Sequence, residues 1–152
     1  MDLKKINFFM ELAFVEAEKA FKKNEVPVGC VIVHSNQIIG RGHNSVIDRC
    51  AVTAHAEILA IEAASKTLKN YRLLDADIYT TLEPCHMCSK AIVDARISNL
   101  YFGALEPKTG AIVSIDSFLE RSDLNHRVNF SGGFMKDQSA DLLKNFFISK
   151  RK

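Results

Sequence analysis

The sequence predicts a layered α/β domain, with helices on both faces of a mixed sheet. Three observations carry that prediction. The first segment repeats apolar residues at helical spacing, short valine- or threonine-rich runs follow it, and helical and strand-like patterns then alternate to the end of the chain. The chain has 152 residues, of which 47% are hydrophobic and 25% charged. That is the composition of an ordinary globular protein, and the length suits one domain able to hold a core without staples.

The elements follow in order. Leu3, Ile6, Met10, Ala13, Phe14, Ala17 and Phe21 recur at spacings of three and four, so Leu3 to Phe21 reads as an amphipathic helix, ended by Val26-Pro27. Val28 to Val33 is a nearly continuous apolar run, read as a strand covered on both faces. Ser35-Asn36 turns the chain into a second strand, Gln37 to Gly40. A loop spans Arg41 to Val52. Thr53 then suits the N-cap of a helix through Leu68, apolar over much of its circumference and therefore expected to be buried. Ile78 to Leu82 reads as a strand. Pro84 opens a helix to about Ala95. Leu100 to Phe102 is a further strand, and Gly103 to Asn125 has no clear pattern. Val128-Asn129-Phe130 reads as a short strand, Gly132-Gly133 as a turn, and Lys136 to Ile148 as a last amphipathic helix before Lys150-Arg151-Lys152.

Bulk properties exclude several classes. No stretch approaches the ~18 uninterrupted apolar residues of a membrane span. Asp2, Glu11, Glu16 and Glu18 break any apolar signal core near the N-terminus. An intracellular protein is expected, in which Cys30, Cys50, Cys85 and Cys88 stay reduced. The formal charge of +2 permits an anionic partner without demanding one.

The chemistry concentrates in His55-Ala56-Glu57 and Pro84-Cys85-His86-Met87-Cys88. One imidazole, two thiols and a carboxylate free of metal are the parts of a catalytic zinc site with an open fourth position. Cys85 and Cys88 are three apart on a predicted helix and project from one side of its first turn. The positive end of that helix favours thiolate, the form that binds zinc. Residues two apart lie about 200° apart around a helix. His55 and Glu57 therefore converge only on a point near the helix end, so two helix N-termini face one ion. Other readings stand beside this one. Cys-x-x-Cys also serves as a redox pair. A structural zinc would need a fourth protein ligand, for which His86, His34, His43 and Cys50 are the candidates, none at a familiar spacing. His86 is expected to turn away from the ion, Cys30 to be a small core residue, and Cys50 a plain loop cysteine. A buried Glu57 without a task would be expensive.

His-x-Glu followed by Pro-Cys-x-x-Cys is the established signature of the zinc deaminases. Val26-Pro27-Val28-Gly29, Thr53 to Ile58, Tyr71-Arg72-Leu73, Thr81 to Cys85, Lys108-Thr109-Gly110-Ala111 and Leu124-Asn125-His126 extend the match. Over about Glu25 to Phe147 the chain resembles the bacterial tRNA-specific adenosine deaminases. The resemblance implies a single domain over residues 1–152. It implies a three-layer α/β/α cytidine deaminase-like fold around a five-stranded sheet, a homodimer, and a cytoplasmic enzyme. It implies conversion of adenosine to inosine at the wobble position of a tRNA anticodon. It assigns one zinc per chain to His55, Cys85 and Cys88, and the proton shuttle to Glu57. Asn44 and Ala56 would contact the base, and Lys108, Thr109, Gly110 and Asn125 would line the path of the anticodon loop. The chain departs from the family pattern at Ala51-Val52, where Asp-Pro is frequent, at Glu106-Pro107, where an aspartate is frequent, and at Gln138-Ser139, where Glu-Cys is common.

The expected reaction is hydrolytic deamination by a zinc-activated water, with Glu57 moving protons to N1 of the ring and to the departing amine. A stacked base cannot be reached, which favours an anticodon loop over a duplex. Arg41, Arg49, Lys108, Arg127, Lys150, Arg151 and Lys152 are candidates for phosphate contacts, each set against the plainer role of a solubilising surface charge. His126 and Phe146-Phe147 are pocket or core candidates, with core favoured for the paired aromatics. Two rivals remain at this point: a deaminase of a free base, nucleoside or nucleotide of the cytosine or guanine type, and a non-catalytic zinc-stabilised RNA-binding subunit. The second needs a missing acid, and Glu57 is present.

Overall fold

The computed structural model describes residues 2–151. The chain forms α1 (Leu3–Lys22), β1 (Gly29–His34), β2 (Gln37–His43), α2 (Val46–Arg49), α3 (Ala56–Leu68), β3 (Ala76–Leu82), α4 (His86–Asp94), β4 (Asn99–Ala104), a 3-10 turn at Phe118–Glu120, β5 (Asn129–Gly132) and α5 (Lys136–Lys150). The five strands make one mixed sheet in the order β2-β1-β3-β4-β5. β1 is antiparallel to β2 and β3, whereas β3–β4 and β4–β5 are parallel. The β1–β2 hairpin turns on Ser35 and Asn36, both left-handed with φ 51 and 63, which matches the twist of the flanking strands. α4 supplies the crossover that the parallel pair β3–β4 requires. Among the described residues no helix is long and apolar enough to cross a membrane.

Alternation along β1 builds two cores from one strand. Val31 and Val33 face α1, joining Ile6, Phe9, Met10, Ala13 and Tyr79. Cys30 and Ile32 face the other way, joining Ala56, Ala60 and Ala64 of α3 and Ile92 and Val93 of α4. α5 packs beside α1 and across β4. The layers are therefore α1 with α5, the sheet, and α3 with α4. Cys30 is a fully buried core residue, as expected.

Several boundaries differ from the sequence reading, each for a physical reason. α1 stops at Lys22, and Asn24 takes a left-handed φ of 61 before Val26-Pro27 is reached. β2 runs on past Gly40 to His43 because Gly40 and Gly42 act as contact points. A Cβ at Gly40 would lie 2.3 Å from the Ala60 carbonyl oxygen, and one at Gly42 would lie 2.3 Å from that of Ala56. Glycines on the strand and alanines on the helix let α3 lie directly on β2. Thr53 does not cap α3; the helix starts at Ala56 with His55 in the cap position. α3 is buried along one line only (Ala56, Glu57, Ala60, Ala64), and Ile58, Leu59 and Ile61 are half-buried. The loop read over Arg41 to Val52 contains the single turn α2, and Gly132 closes β5 with only Gly133 turning, at φ 97.

Among the described residues, the buried hydroxyls of Ser89 and Ser139 have no hydrogen-bond partner. Ser139 is where the resemblance leads one to expect cysteine, and a buried thiol needs no such partner. Ser139→Cys is expected to stabilise the fold by about 1 kcal/mol, seen as a higher Tm. Gly42→Ala is expected to cost about 1–3 kcal/mol through overpacking, a Tm loss of about 2–4 °C per kcal/mol that thermal unfolding will read.

Candidate metal centre

The seating of α3 on β2 fixes where its first residues stand. His55 is the N-cap of α3, with extended φ −78 and ψ 153. Cys85 is the N-cap of α4, with φ −77 and ψ 178, and Cys88 lies in its first turn. The two helix ends meet. His55 Nδ1 lies 3.7 Å from Cys85 Sγ and 3.5 Å from Cys88 Sγ. The three donor atoms all fall within 4.8 Å of one another. A tetrahedral zinc, with Zn–S about 2.3 Å and Zn–N about 2.0–2.1 Å, sets its nitrogen and sulfur ligands about 3.5–3.6 Å apart. The two nitrogen–sulfur distances therefore fit that ion. Among the described residues none of the four other candidates joins the group. His86 bonds Asp116 at 2.8 Å, His43 bonds Glu16 at 3.1 Å, His34 lies beside Ser35, and Cys50 contacts the Ile47 carbonyl.

The two thiols divide one proton unequally. Cys85 is held down to about 4, first by the hydrogen bond from Cys88 and then by His55. Cys88 is pushed up, first as the donor in that bond and then by burial. A cation between them replaces the shared proton and suits both as thiolates.

Glu57 opens into the same space. Only 4% of it is exposed, and burial first of all pushes its carboxyl up to about 7. It lines a cavity of about 500 Å³ together with His55 and Cys85. Val26, Val28, Val46 and Ile47 form an apolar wall, Leu82 closes the sheet side, and Phe146 with Lys150 reaches in from α5. Asn44 also lines this cavity, and its Oδ1 accepts the Ala56 N–H at 2.8 Å. That bond leaves the amide Nδ2 of Asn44 free to donate. It also occupies the Ala56 N–H, and Ala56 itself is fully buried.

The other residues singled out by sequence are spread more widely. Thr109 lines the cavity, whereas Lys108 and Asn125 do not and are exposed. Gly110 is buried behind Thr109, against Glu83. Arg41, Arg49, Arg127 and Arg151 are exposed, and Arg127 donates to the Leu119 carbonyl at 3.2 Å. Lys150 stands 5.5 Å over the Phe146 ring at the cavity. Lys152 lies outside the described residues. His126 bonds the Ile97 carbonyl at 2.7 Å. The paired aromatics divide: Phe146 is buried against the cavity, and Phe147 is 47% exposed rather than core.

Two cavity residues escaped the sequence reading. The buried Glu25 carboxylate accepts the N–H groups of Ile47 at 3.1 Å and Asp48 at 2.8 Å, pinning the start of α2. Buried Glu83 does the same for the loop after β4. Each is an acid next to a proline-containing turn, yet its partners lie 22 to 31 residues away.

Comparisons with known proteins agree with this geometry. The profile of the cytidine and deoxycytidylate deaminase zinc-binding region matches residues 3–104. A tRNA-specific adenosine deaminase of Agrobacterium fabrum is 45% identical over 143 residues, 94% of each chain. One of Aquifex aeolicus is 44% identical over 144 residues, 95% of each chain. A solved structure from a study of A-to-I editing by tRNA:A34 deaminases at the wobble position of transfer RNA superimposes with a TM-score of 0.86 at 44% identity, covering 89% of this chain and 98% of that one.

Cys85→Ser is expected to lose the metal, measured as zinc per chain after gel filtration. A ligand at 1000 times its Kd stabilises a fold by about 4 kcal/mol, so Tm should fall by about 8–16 °C at 2–4 °C per kcal/mol. Zinc at the wild-type ratio in this variant would refute the ligand set.

Proposed function

The chain belongs to the cytidine and deoxycytidylate deaminase zinc-binding family, among its tRNA-specific adenosine deaminases, and we propose how its residues carry out that reaction. It is a hydrolase that converts adenosine to inosine at the wobble position of a tRNA anticodon. Residues 1–152 act as one catalytic domain. His55, Cys85 and Cys88 hold one zinc per chain. Zinc bound there lowers the pKa of a coordinated water from ~15.7 to about 7 and so supplies a nucleophile at neutral pH.

Glu57 carries the protons. Its carboxylate takes one from the attacking water and delivers it to N1 of the adenine; it then carries the second proton of that oxygen to the exocyclic amine, which leaves as ammonia as the C6 carbonyl forms. Burial keeps this traffic out of bulk solvent. Asn44 holds the base, its oxygen tied to Ala56 and its Nδ2 donating to the ring. Val26, Val28, Val46 and Ile47 bury the ring faces. The nucleotide must come unstacked to enter, as it can in an anticodon loop. Lys150 at the cavity, with Lys108 and Arg151 beside lining residues in the chain, meets the flanking phosphates. The enzyme works as a homodimer in the cytoplasm, where its substrate is; the family resemblance supports both statements.

One observation carries the assignment of roles: a three-donor group at zinc-ligand spacing that shares a cavity with a buried, unligated acid. Purified protein is to be incubated with an anticodon stem-loop bearing wobble adenosine, and separately with free adenosine, cytidine and guanine. Nucleoside mass analysis should show inosine from the stem-loop alone. Glu57→Gln is expected to keep zinc and fold but slow the reaction by about 10²–10⁴-fold; wild-type turnover in that variant would remove Glu57 from its role. Stem-loop affinity should fall steeply with salt, with a log–log slope of about −0.7 to −0.9 per neutralised phosphate.

A further inference from the structure

Glu83 takes no part in the chemistry above, yet it is the most heavily bonded side chain at the cavity. It is 2% exposed. One carboxylate oxygen accepts the Glu106 N–H at 3.0 Å and the Ser114 hydroxyl. The other accepts three consecutive N–H groups, from Ile112 at 3.1 Å, Val113 at 2.8 Å and Ser114 at 2.9 Å. Among the described residues it forms no salt bridge to Lys, Arg or His. Every donor comes from the segment after β4, a stretch with no regular structure before Phe118.

The end of β4 and that segment are tied to the turn bearing Cys85 at three further points. The Glu83 N–H donates to the Ala104 carbonyl at 2.9 Å, and the Ala111 N–H to the Pro84 carbonyl at 2.8 Å. His86 pairs with Asp116 at 2.8 Å. The approach is tight enough that a Cβ at Gly110 would lie 2.2 Å from a Glu83 oxygen. Between these anchors the segment carries Glu106 and Thr109 into the cavity lining. A buried anion closed by N–H donors is a rigid joint, since losing the anion leaves several buried donors unsatisfied.

We propose that Glu83 is a positioning residue for the substrate. It fixes the wall bearing Glu106 and Thr109 at a set height above Cys85, and so sets the opening through which the flipped nucleotide reaches the metal centre. It acts through the loop and touches neither the metal nor the base. This rests on the deaminase assignment made above.

The test uses zinc-loaded full-length protein and the wobble-adenosine stem-loop. Glu83→Gln keeps the size of the side chain but turns an NH2 group toward backbone N–H donors. It is expected to raise KM for the stem-loop at least tenfold, leave kcat within threefold, and retain zinc at the wild-type ratio. An unchanged KM overturns the proposal, as does joint loss of zinc and kcat, which would make Glu83 a support of the metal turn alone. If Glu83→Gln does not fold, Ser114→Ala decides, because it removes one of the donors and keeps the carboxylate. A KM raised about threefold with unchanged zinc supports the proposal, and a wild-type KM overturns it. Failure of the deaminase assignment shows separately, as a wild-type protein that forms no inosine from the stem-loop.

Discussion

The structure depends on two helices beginning at the same point. α3 and α4 each start on a metal-ligand candidate, His55 and Cys85, held in extended conformation at the cap. Each helix brings about half a positive charge to its first turn. Two such ends repel unless something negative lies between them. The Cys85 and Cys88 sulfurs and the Glu57 carboxyl meet in that space. The same field favours thiolate, and the fold prepares Cys85 in that form, whereas Cys88 is pushed up as the donor to it.

Holding the ends together needs precise seating of α3, which comes from small residues rather than large ones. Gly40 and Gly42 on β2 meet the backbone of α3 near Ala60 and Ala56. The Asn44 side chain then caps the helix from outside at Ala56. Cap residues usually come from the chain just before the helix. Here that place is taken by His55, whose ring turns to the two cysteine sulfurs, so the capping oxygen comes from elsewhere. This is why Thr53, a good cap by type, is not the cap.

The same logic marks where the sequence was legible. The His55, Cys85 and Cys88 group, Glu57, the helices and most strand cores are local patterns, with periodicity or short spacing that a reader can follow. What stayed hidden depends on partners far along the chain. Gly40 read as a strand end because a glycine that admits a helix looks like one that permits a turn. α2 was missed because its first N–H groups are satisfied by Glu25, 22 and 23 positions earlier. Within the stretch from Gly103 to Asn125, residues 106–114 showed no pattern because one carboxylate, rather than repeating hydrogen bonds, ties them down. Lys108 and Asn125 were named from resemblance to a family that binds RNA, and residues that meet a large partner need not line the cavity of the free chain.

The charges around the cavity suit an uncharged ring better than a phosphate. Glu25, Glu57, Glu83 and Glu106 all line it, against one lysine at the edge. Glu25 and Glu83 are closed by backbone N–H donors, and among the described residues neither forms a salt bridge. A phosphate driven into this space would meet like charge in a partly water-excluded setting, where repulsion is poorly screened. A neutral ring would meet apolar walls and the Asn44 amide instead. The basic residues lie outside, along surfaces that a loop of RNA can follow. The acids that build the walls of the cavity therefore also set its charge preference.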